Sequence, residues 1–445
     1  MIKKFYLIVY LIFLSMFLLA DDDHYFNLFI GDRAAGMSGA YTAIADGPEG
    51  AYYNPAGIAF SPSKYFSLSA NAIQYKMLAY RDIYPDADKE IDYVRHSFSF
   101  VPNFFGFIQK ARHFTFAITI SSPDNEFFDQ RDKIEIPYKV DSNTTMDIVL
   151  NYNFNRIDMT YDGGVTFGFP INPKLAVGFS TFFMYKDTKT IIQSVQTIKN
   201  YDYYSNISSY DSERIFYIKP QVGIQWMPIK QLSFGYNAVM SLAIFGVFNR
   251  QSSNFRYIDI NNYDFDDNIN IKDNTVSTNY LGEDPDEPFI KPAVLKQAVG
   301  VAWFINKSLL LSTDFYLYIP VYYKQGEKIV ITSTGEFKIV DHIITPNVAI
   351  GFEWYITPNF PLRTGFFTNL SNRPRPVKGR KNQADYVNMF GGSLSIGYAT
   401  TDLVINLGTA ISFGRGQAQI LKDQTDIQNL DALSAIVFIS GGYQF

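Results

Sequence analysis

From about residue 63 onward, large apolar residues recur at every second position, separated by small or polar ones. In one stretch Leu232, Phe234, Tyr236, Ala238, Met240, Leu242 and Ile244 share a face, with Ser233, Gly235, Asn237 and Ser241 on the other. Leu175, Val177, Phe179, Phe183 and Tyr185 stand in the same way against Ala176, Gly178 and Ser180. So do Leu403, Ile405, Leu407 and Ile411 against Asn406, Gly408, Ala410 and Ser412. A period of two marks strands with two unlike faces. Bulky apolar groups on one face and small or polar groups on the other fit a lipid-exposed outside and a wet or tapered inside.

Six short connections join these strands: 109–112, 171–174, 228–230, 306–307, 357–359 and 400–402, together rich in turn-forming Asn, Pro, Asp and Lys. Longer polar segments lie between them at 78–90, 122–142, 187–210, 249–290, 323–343, 372–386 and 416–432. Short turns alternating with long loops, both chain ends on the short-turn side, predict fourteen antiparallel strands closed into a transmembrane barrel over 63–445. Residues 143–169 are counted as one long strand. In the last strand Val437, Ile439, Tyr443 and Phe445 share a face, and the chain stops at an aromatic residue.

The barrel is preceded by two other segments. Lys3 and Lys4, an apolar run from Phe5 to Leu19, then Ala20 and Asp21-Asp22-Asp23 read as a cleaved signal peptide over 1–20. Residues 21–62 then break the alternation, and 27–60 are rich in glycine and alanine. Small side chains permit close backbone approach, and Asn54 before Pro55 stops any preceding helix. A fourteen-stranded pore is wider than its own side chains can fill, which gives this compact element a use as a plug.

Composition narrows the function classes. Aromatic residues make up 17% of the chain and charged residues 18%, against about 25% charged in an average soluble domain. There is no cysteine, so disulfides, thiolate metal sites and Cys nucleophiles are excluded. The four histidines, His24, His96, His113 and His342, form neither a metal-ligand spacing nor a Ser-His-carboxylate set. No enzyme, cofactor or metal is expected, and a net charge of −5 gives no footprint for nucleic acid. The segment 249–290 is strongly acidic; within it Asp264-Phe265-Asp266-Asp267-Asn268 lacks the glycine and closing Glu of a calcium loop. The run from Arg373 to Lys381 holds five cations in nine residues on a predicted external loop, where Arg forks can pair with carboxylate or phosphate.

The run Gly31-Asp32-Arg33-Ala34-Ala35-Gly36-Met37-Ser38-Gly39-Ala40, then Ala45-Asp46, then Asn54-Pro55-Ala56-Gly57, resembles the N-terminal hatch of the FadL family of outer-membrane transporters, and more closely its PorV/PorQ-type branch. The resemblance implies that Gly36, Gly39, Asp46, Asn54, Pro55, Ala56 and Gly57 belong to a hatch inside the lumen. It implies a hydrophobic ligand such as a long-chain fatty acid, held in the lumen and released sideways through a gap beside a kinked strand. The strand register offers Phe182, Met184, Asn237, Val239 and Phe245 as lumen-side ligand contacts. Tyr443 and Phe445 resemble the terminal aromatic signal read by the barrel assembly machinery. The expected function is passive uptake across the outer membrane, with membrane lipid and an apolar small molecule as partners. The PorV-like alternative is a shuttle that holds a secreted protein. A third is a structural barrel or adhesin using Tyr-rich loops (Tyr201, Tyr203, Tyr204, Tyr210).

Overall fold

The computed structural model describes residues 24, 29–62, 64–84, 89–139, 145–199, 203–258, 294–320, 342–380, 383–420 and 426–445. The expected leader, Asp21–Asp23, Tyr201, Lys381 and most of the acidic segment lie outside them. Fourteen antiparallel strands form a closed barrel: β1 Lys64–Arg81, β2 Tyr93–Lys110, β3 Thr115–Lys139, β4 Thr145–Asn172, β5 Leu175–Ile198, β6 Tyr203–Ile229, β7 Leu232–Ile258, β8 Val294–Phe304, β9 Leu309–Pro320, β10 Thr345–Thr357, β11 Phe360–Asn369, β12 Tyr386–Ala399, β13 Leu403–Ala418 and β14 Gln428–Gln444. Closure comes from β1 pairing with β14, from Tyr65 opposite Gln444 to Arg81 opposite Asn429. All six short turns fall where the sequence places them, and residues 145–172 form a single strand.

The two faces separate as the alternation predicts. Phe179, Phe183, Ile224, Leu407 and Ile411 are exposed on the outside, whereas Ser180, Gln221, Ser233, Asn237 and Asn406 are buried in the lumen. Hydrocarbon offers the backbone no hydrogen bonds, so ring closure is what lets such a sheet present this outer face to lipid. Trp226, Trp303 and Trp354 all point outwards near the short-turn ends of their strands, as an interfacial aromatic girdle does. Phe445 and Tyr443 are also outward and lie 5.6 Å apart between ring centroids.

The register departs from the expected one at a bulge. On β6–β7, Phe216 faces Phe245 but Tyr217 faces Ala243, so Ile244 is an extra residue. One extra residue moves everything beyond it to the opposite face. Phe245 therefore sits outside, 47% exposed, and is not a lumen residue. The segments expected as loops at 122–142 and 187–210 are mostly strand. Above the membrane both faces of the sheet meet water, so the polarity contrast fades while the ladder continues, as from Asp187 opposite Arg214 to Thr197 opposite Tyr204.

Residues 29–62 run inside. A short helix α1 (Asp32–Gly36), a turn of helix α2 (Gly50–Tyr53) and a 3-10 turn (Gly57–Phe60) are joined by tight bends. Side chains reach this segment from β2 (Asn103), β5 (Ser180), β6 (Gln221), β7 (Ser233), β9 (Asp314), β10 (Glu353), β12 (Ser393) and β13 (Asn406). A segment that touches strands all round a closed barrel lies in its lumen. A Cβ added at Gly178, Gly223 or Gly235 would overlap Pro55, Asn54 or Thr42, so bare wall is what admits the segment's backbone.

Lipids brominated near the headgroup are expected to quench most of the native tryptophan emission in reconstituted protein. A Phe245→Trp change should add quenched emission and Phe182→Trp unquenched emission; the reverse pattern would place the bulge elsewhere.

Candidate functional site

Each end of the lumenal segment is held by a different chemistry. Asn54 is the C-cap of α2 in an extended conformation, and Pro55 after it prevents the helix from continuing. Its Nδ2 donates to the carbonyls of Thr42 (2.8 Å) and Ile224 (3.1 Å), and its Oδ1 accepts from the Ala56 N–H (3.1 Å). Tyr316 donates its hydroxyl to the Gly39 carbonyl at 2.6 Å, and Ser393 donates to the Gly36 carbonyl at 2.9 Å. The Asp314 carboxylate accepts the consecutive N–H groups of Tyr41 (2.9 Å) and Thr42 (2.7 Å). Gly57 packs against the Ala45 carbonyl, where a side chain would not fit.

On the short-turn side the contacts are ionic. Arg33 forks onto Glu353 through Nη2 (2.9 Å) and Nε (3.0 Å), and its Nη1 pairs with Asp46 at 2.8 Å. Glu353 also accepts from Arg363 at 2.6 Å, and Arg363 donates to Asn406 at 2.7 Å. Asn406 in turn donates to Asp32. A cavity of about 370 Å³ opens among these groups at the short-turn mouth. The pairs among Arg33, Asp46, Glu353 and Arg363 stand in its wall, and driving an apolar molecule between them means breaking pairs that are costly to leave unmatched.

Above the segment lies a cavity of about 110 Å³. Phe182, Met184, Val239, Val294, Tyr217 and Tyr318 supply its apolar and aromatic lining. Three lysines also face it. Lys186 pairs with Asp158 at 3.3 Å and Lys219 with Asp162 at 2.6 Å. Lys296 makes no ion pair among the described residues; its ammonium instead lies 5.1–5.8 Å from the ring centres of Tyr52, Tyr316 and Tyr318. Such cation–π contacts stabilise the charge yet leave its hydrogen-bond donors for an incoming acceptor.

The cavity reaches a break in the wall. β3 bulges between Ser121 and Asp124, with Pro123 at the bend. Proline brings no N–H to a ladder. The β2–β3 ladder runs only from Lys110 opposite Thr115 to Phe104 opposite Ser121. Higher up, side chains rejoin the strands, Ser97 to the Phe127 carbonyl (2.5 Å) and Gln130 to the Val94 carbonyl (2.5 Å). Pro123 and Asp124 line the cavity, so the kink and the cavity are one continuous feature.

The loop-side end is narrowed over half the barrel. Tyr80, Tyr93, Phe128, Tyr152, Phe154, Met389 and Leu430 join one apolar cluster. Arg95 sits within it, 3.8 Å from the Phe154 ring centre and 4.8 Å from that of Tyr80, donating to the Tyr80 (3.0 Å) and Tyr152 (3.3 Å) hydroxyls.

Of the expected ligand contacts, the structure brings Phe182, Met184 and Val239 to one cavity. Asn237 is buried just below, where its Oδ1 accepts from Gln221 at 3.0 Å. Phe245 is outside. The expected hatch residues all lie in the lumenal segment. Sequence reasoning missed Lys296, Asp314, Glu353, Arg363 and Arg95. A signal was present: each is a charged residue at a lumen-side position of a strand whose other face is apolar.

No protein-family model matches the chain, and no curated protein matches it by sequence. The fold is that of FadL-type barrels. A crystal structure of a Pseudomonas aeruginosa FadL homologue superposes with a TM-score of 0.57 at 11% identity, covering 96% of this chain and 100% of that one. The P. putida toluene transporter TodX gives 0.51 at 12% identity over 93% and 97%. The CymD monoaromatic hydrocarbon channel gives 0.50 at 12% identity over 94% and 99%.

Asp314→Ala removes one acceptor shared by two amides, a loss of about 1.5–3 kcal/mol per charge-assisted bond. Residues 31–60 should become protease-sensitive while the barrel keeps its heat-modifiable gel mobility; unchanged protection would show that other contacts suffice.

Proposed function

We propose that the protein is an outer-membrane channel for passive uptake of hydrophobic small molecules, among them long-chain fatty acids, with residues 31–60 acting as the hatch that shuts the lumen beneath the site. One observation carries this reading: a lumenal cavity partly lined by apolar and aromatic side chains, a lysine facing it that makes no ion pair among the described residues, and a kinked strand at its side. The apolar wall suits a hydrocarbon chain and Lys296 suits a carboxylate head. The ionic contacts at the short-turn mouth disfavour straight passage of such a molecule, and the interrupted β2–β3 seam gives it a way into the bilayer. The names of TodX and CymD, a toluene transporter and a monoaromatic hydrocarbon channel, agree with an apolar cargo. In this mechanism ligand enters from the loop side, settles against Phe182 and Val239, and leaves past Pro123 as the segment yields locally at Phe29, whose carbonyl accepts from Asn103 at 2.7 Å.

A second reading draws on the height of β3–β7, which are 24–28 residues long against 10–16 for β8–β13. A wall standing that far above the membrane offers a surface to a secreted protein, as a PorV-type shuttle would need.

Native mass spectrometry of protein extracted in mild detergent separates the two readings. Uptake predicts a bound fatty acid, with Lys296→Met weakening it by about tenfold while a neutral hydrocarbon is unaffected; one lost charge-assisted contact is worth about 1.5 kcal/mol or more. A stoichiometric secreted protein with an empty lumen would select the shuttle.

The seam is tested separately. With no native cysteine to interfere, Asn103→Cys and Ser122→Cys can be joined across the first rungs beyond the ladder's end. Oxidation should stop fatty-acid uptake and reduction restore it; uptake that continues in the oxidised protein would exclude this exit.

A further inference from the structure

The basic run at 373–380 has a defined place at the edge of the apolar band. On β10 the outward positions Ile350, Trp354 and Ile356 are apolar, and Ile344, immediately before the strand's loop-side end, is 59% exposed. The Ile343 N–H donates to the Asn372 carbonyl at 2.8 Å. Arg373 therefore begins where the hydrocarbon-facing surface stops. Because β10 and β11 are short, at 13 and 10 residues, the loop that follows them stays close to that surface.

The loop is built rather than loose. Gln383 donates to the carbonyls of Val377 (2.8 Å) and Arg380 (3.0 Å) and accepts from the Val377 N–H (2.7 Å). Gln419 donates to the Arg380 carbonyl at 2.6 Å. The Arg380 N–H closes a four-residue turn on the Val377 carbonyl at 3.3 Å, with Gly379 at φ +90° in the third position, where a type II turn requires it. The turn points its side chains outwards. Val377 is 52% exposed and the Lys378 side chain 82%. Arg375 and Arg380 are exposed too. Arg375 lies 5.5 Å from the ring centre of Tyr386, on the strand face that lower down carries outward Phe390. Among the described residues Lys378 pairs with Asp426 at 3.3 Å and Arg380 makes no ion pair.

We propose that Arg375, Lys378 and Arg380 form a docking surface for the phosphate groups of a phosphorylated glycolipid in the outer leaflet, with Val377 and Ile344 against its acyl chains. Three cations at headgroup height, over an apolar edge, complement a molecule with phosphates at the interface and hydrocarbon below. Guanidinium groups grip phosphate oxygens in pairs, and basic residues beside an anionic leaflet are each drawn to it. The inference rests on the outer-membrane reading of the barrel and is independent of what the lumen carries.

The test reconstitutes the full chain into phosphatidylcholine nanodiscs with and without diphosphoryl lipid A, and counts retained lipid A by native mass spectrometry. Wild type should retain lipid A over phosphatidylcholine. Exchanging all three cations, Arg375→Ala, Lys378→Ala and Arg380→Ala, should weaken retention on the order of a hundredfold with gel mobility unchanged. As a check without any substitution, raised salt should release lipid A from wild type, because exposed charges are screened. Equal retention by the variant, salt-independent retention, or full displacement by inorganic phosphate would overturn the proposal. Failure of the barrel to enter the bilayer at all would instead overturn the membrane reading.

Discussion

A chain segment inside a barrel has no neighbouring strand to satisfy its amides and carbonyls, because every wall strand is already paired on both sides. Each buried backbone group left unmatched costs on the order of 1–3 kcal/mol. Residues 31–60 meet this constraint with side chains sent in from the wall. Asp314 takes two amides, while Tyr316, Ser393, Ser233 and Gln221 donate to carbonyls. The segment's own bulk is small, so its backbone can come near enough for these bonds to form. Polar lumen residues and glycine-bare patches thus serve one end.

That seating divides the interior. Below the segment, paired charges line the mouth. Above it, a space lined by apolar, aromatic and lysine side chains is bounded on one side by the clustered half of the barrel around Arg95 and on another by the bend at Pro123. Where an apolar molecule can travel is set by which walls are ionic and which are interrupted. The same strand irregularities that weaken the sheet locally, the bulges at Pro123 and Ile244, decide which side chains face the cavity.

Strand number, turn positions and the outer face were legible because hydrocarbon enforces a strict period of two over the membrane-crossing stretch. The height of β3–β7 was not, since that contrast disappears once both faces meet water. Phe245 was misplaced because Ile244 and Phe245 are both apolar, and a bulge between two apolar residues leaves no mark in the pattern. Within the candidate site, Phe182, Met184 and Val239 could be read from parity alone. Lys296 and Asp314 were marked by the same parity, but what surrounds them was not: a lone charge in a strand says nothing about whether a carboxylate stands opposite, and their neighbours come from residues far away in the chain.

The seam between β1 and β14 joins the two ends of the barrel, with Tyr65 opposite Gln444, almost the whole chain apart. Pairing at such separation comes late in folding, after the nearby hairpins have zipped. The lumenal segment is attached directly to β1 and is bonded to strands from β2 to β13, so it ties together strands on both sides of that seam. The segment thus acts as an internal strap: the wall's circumference is held from within as well as by its own ladder.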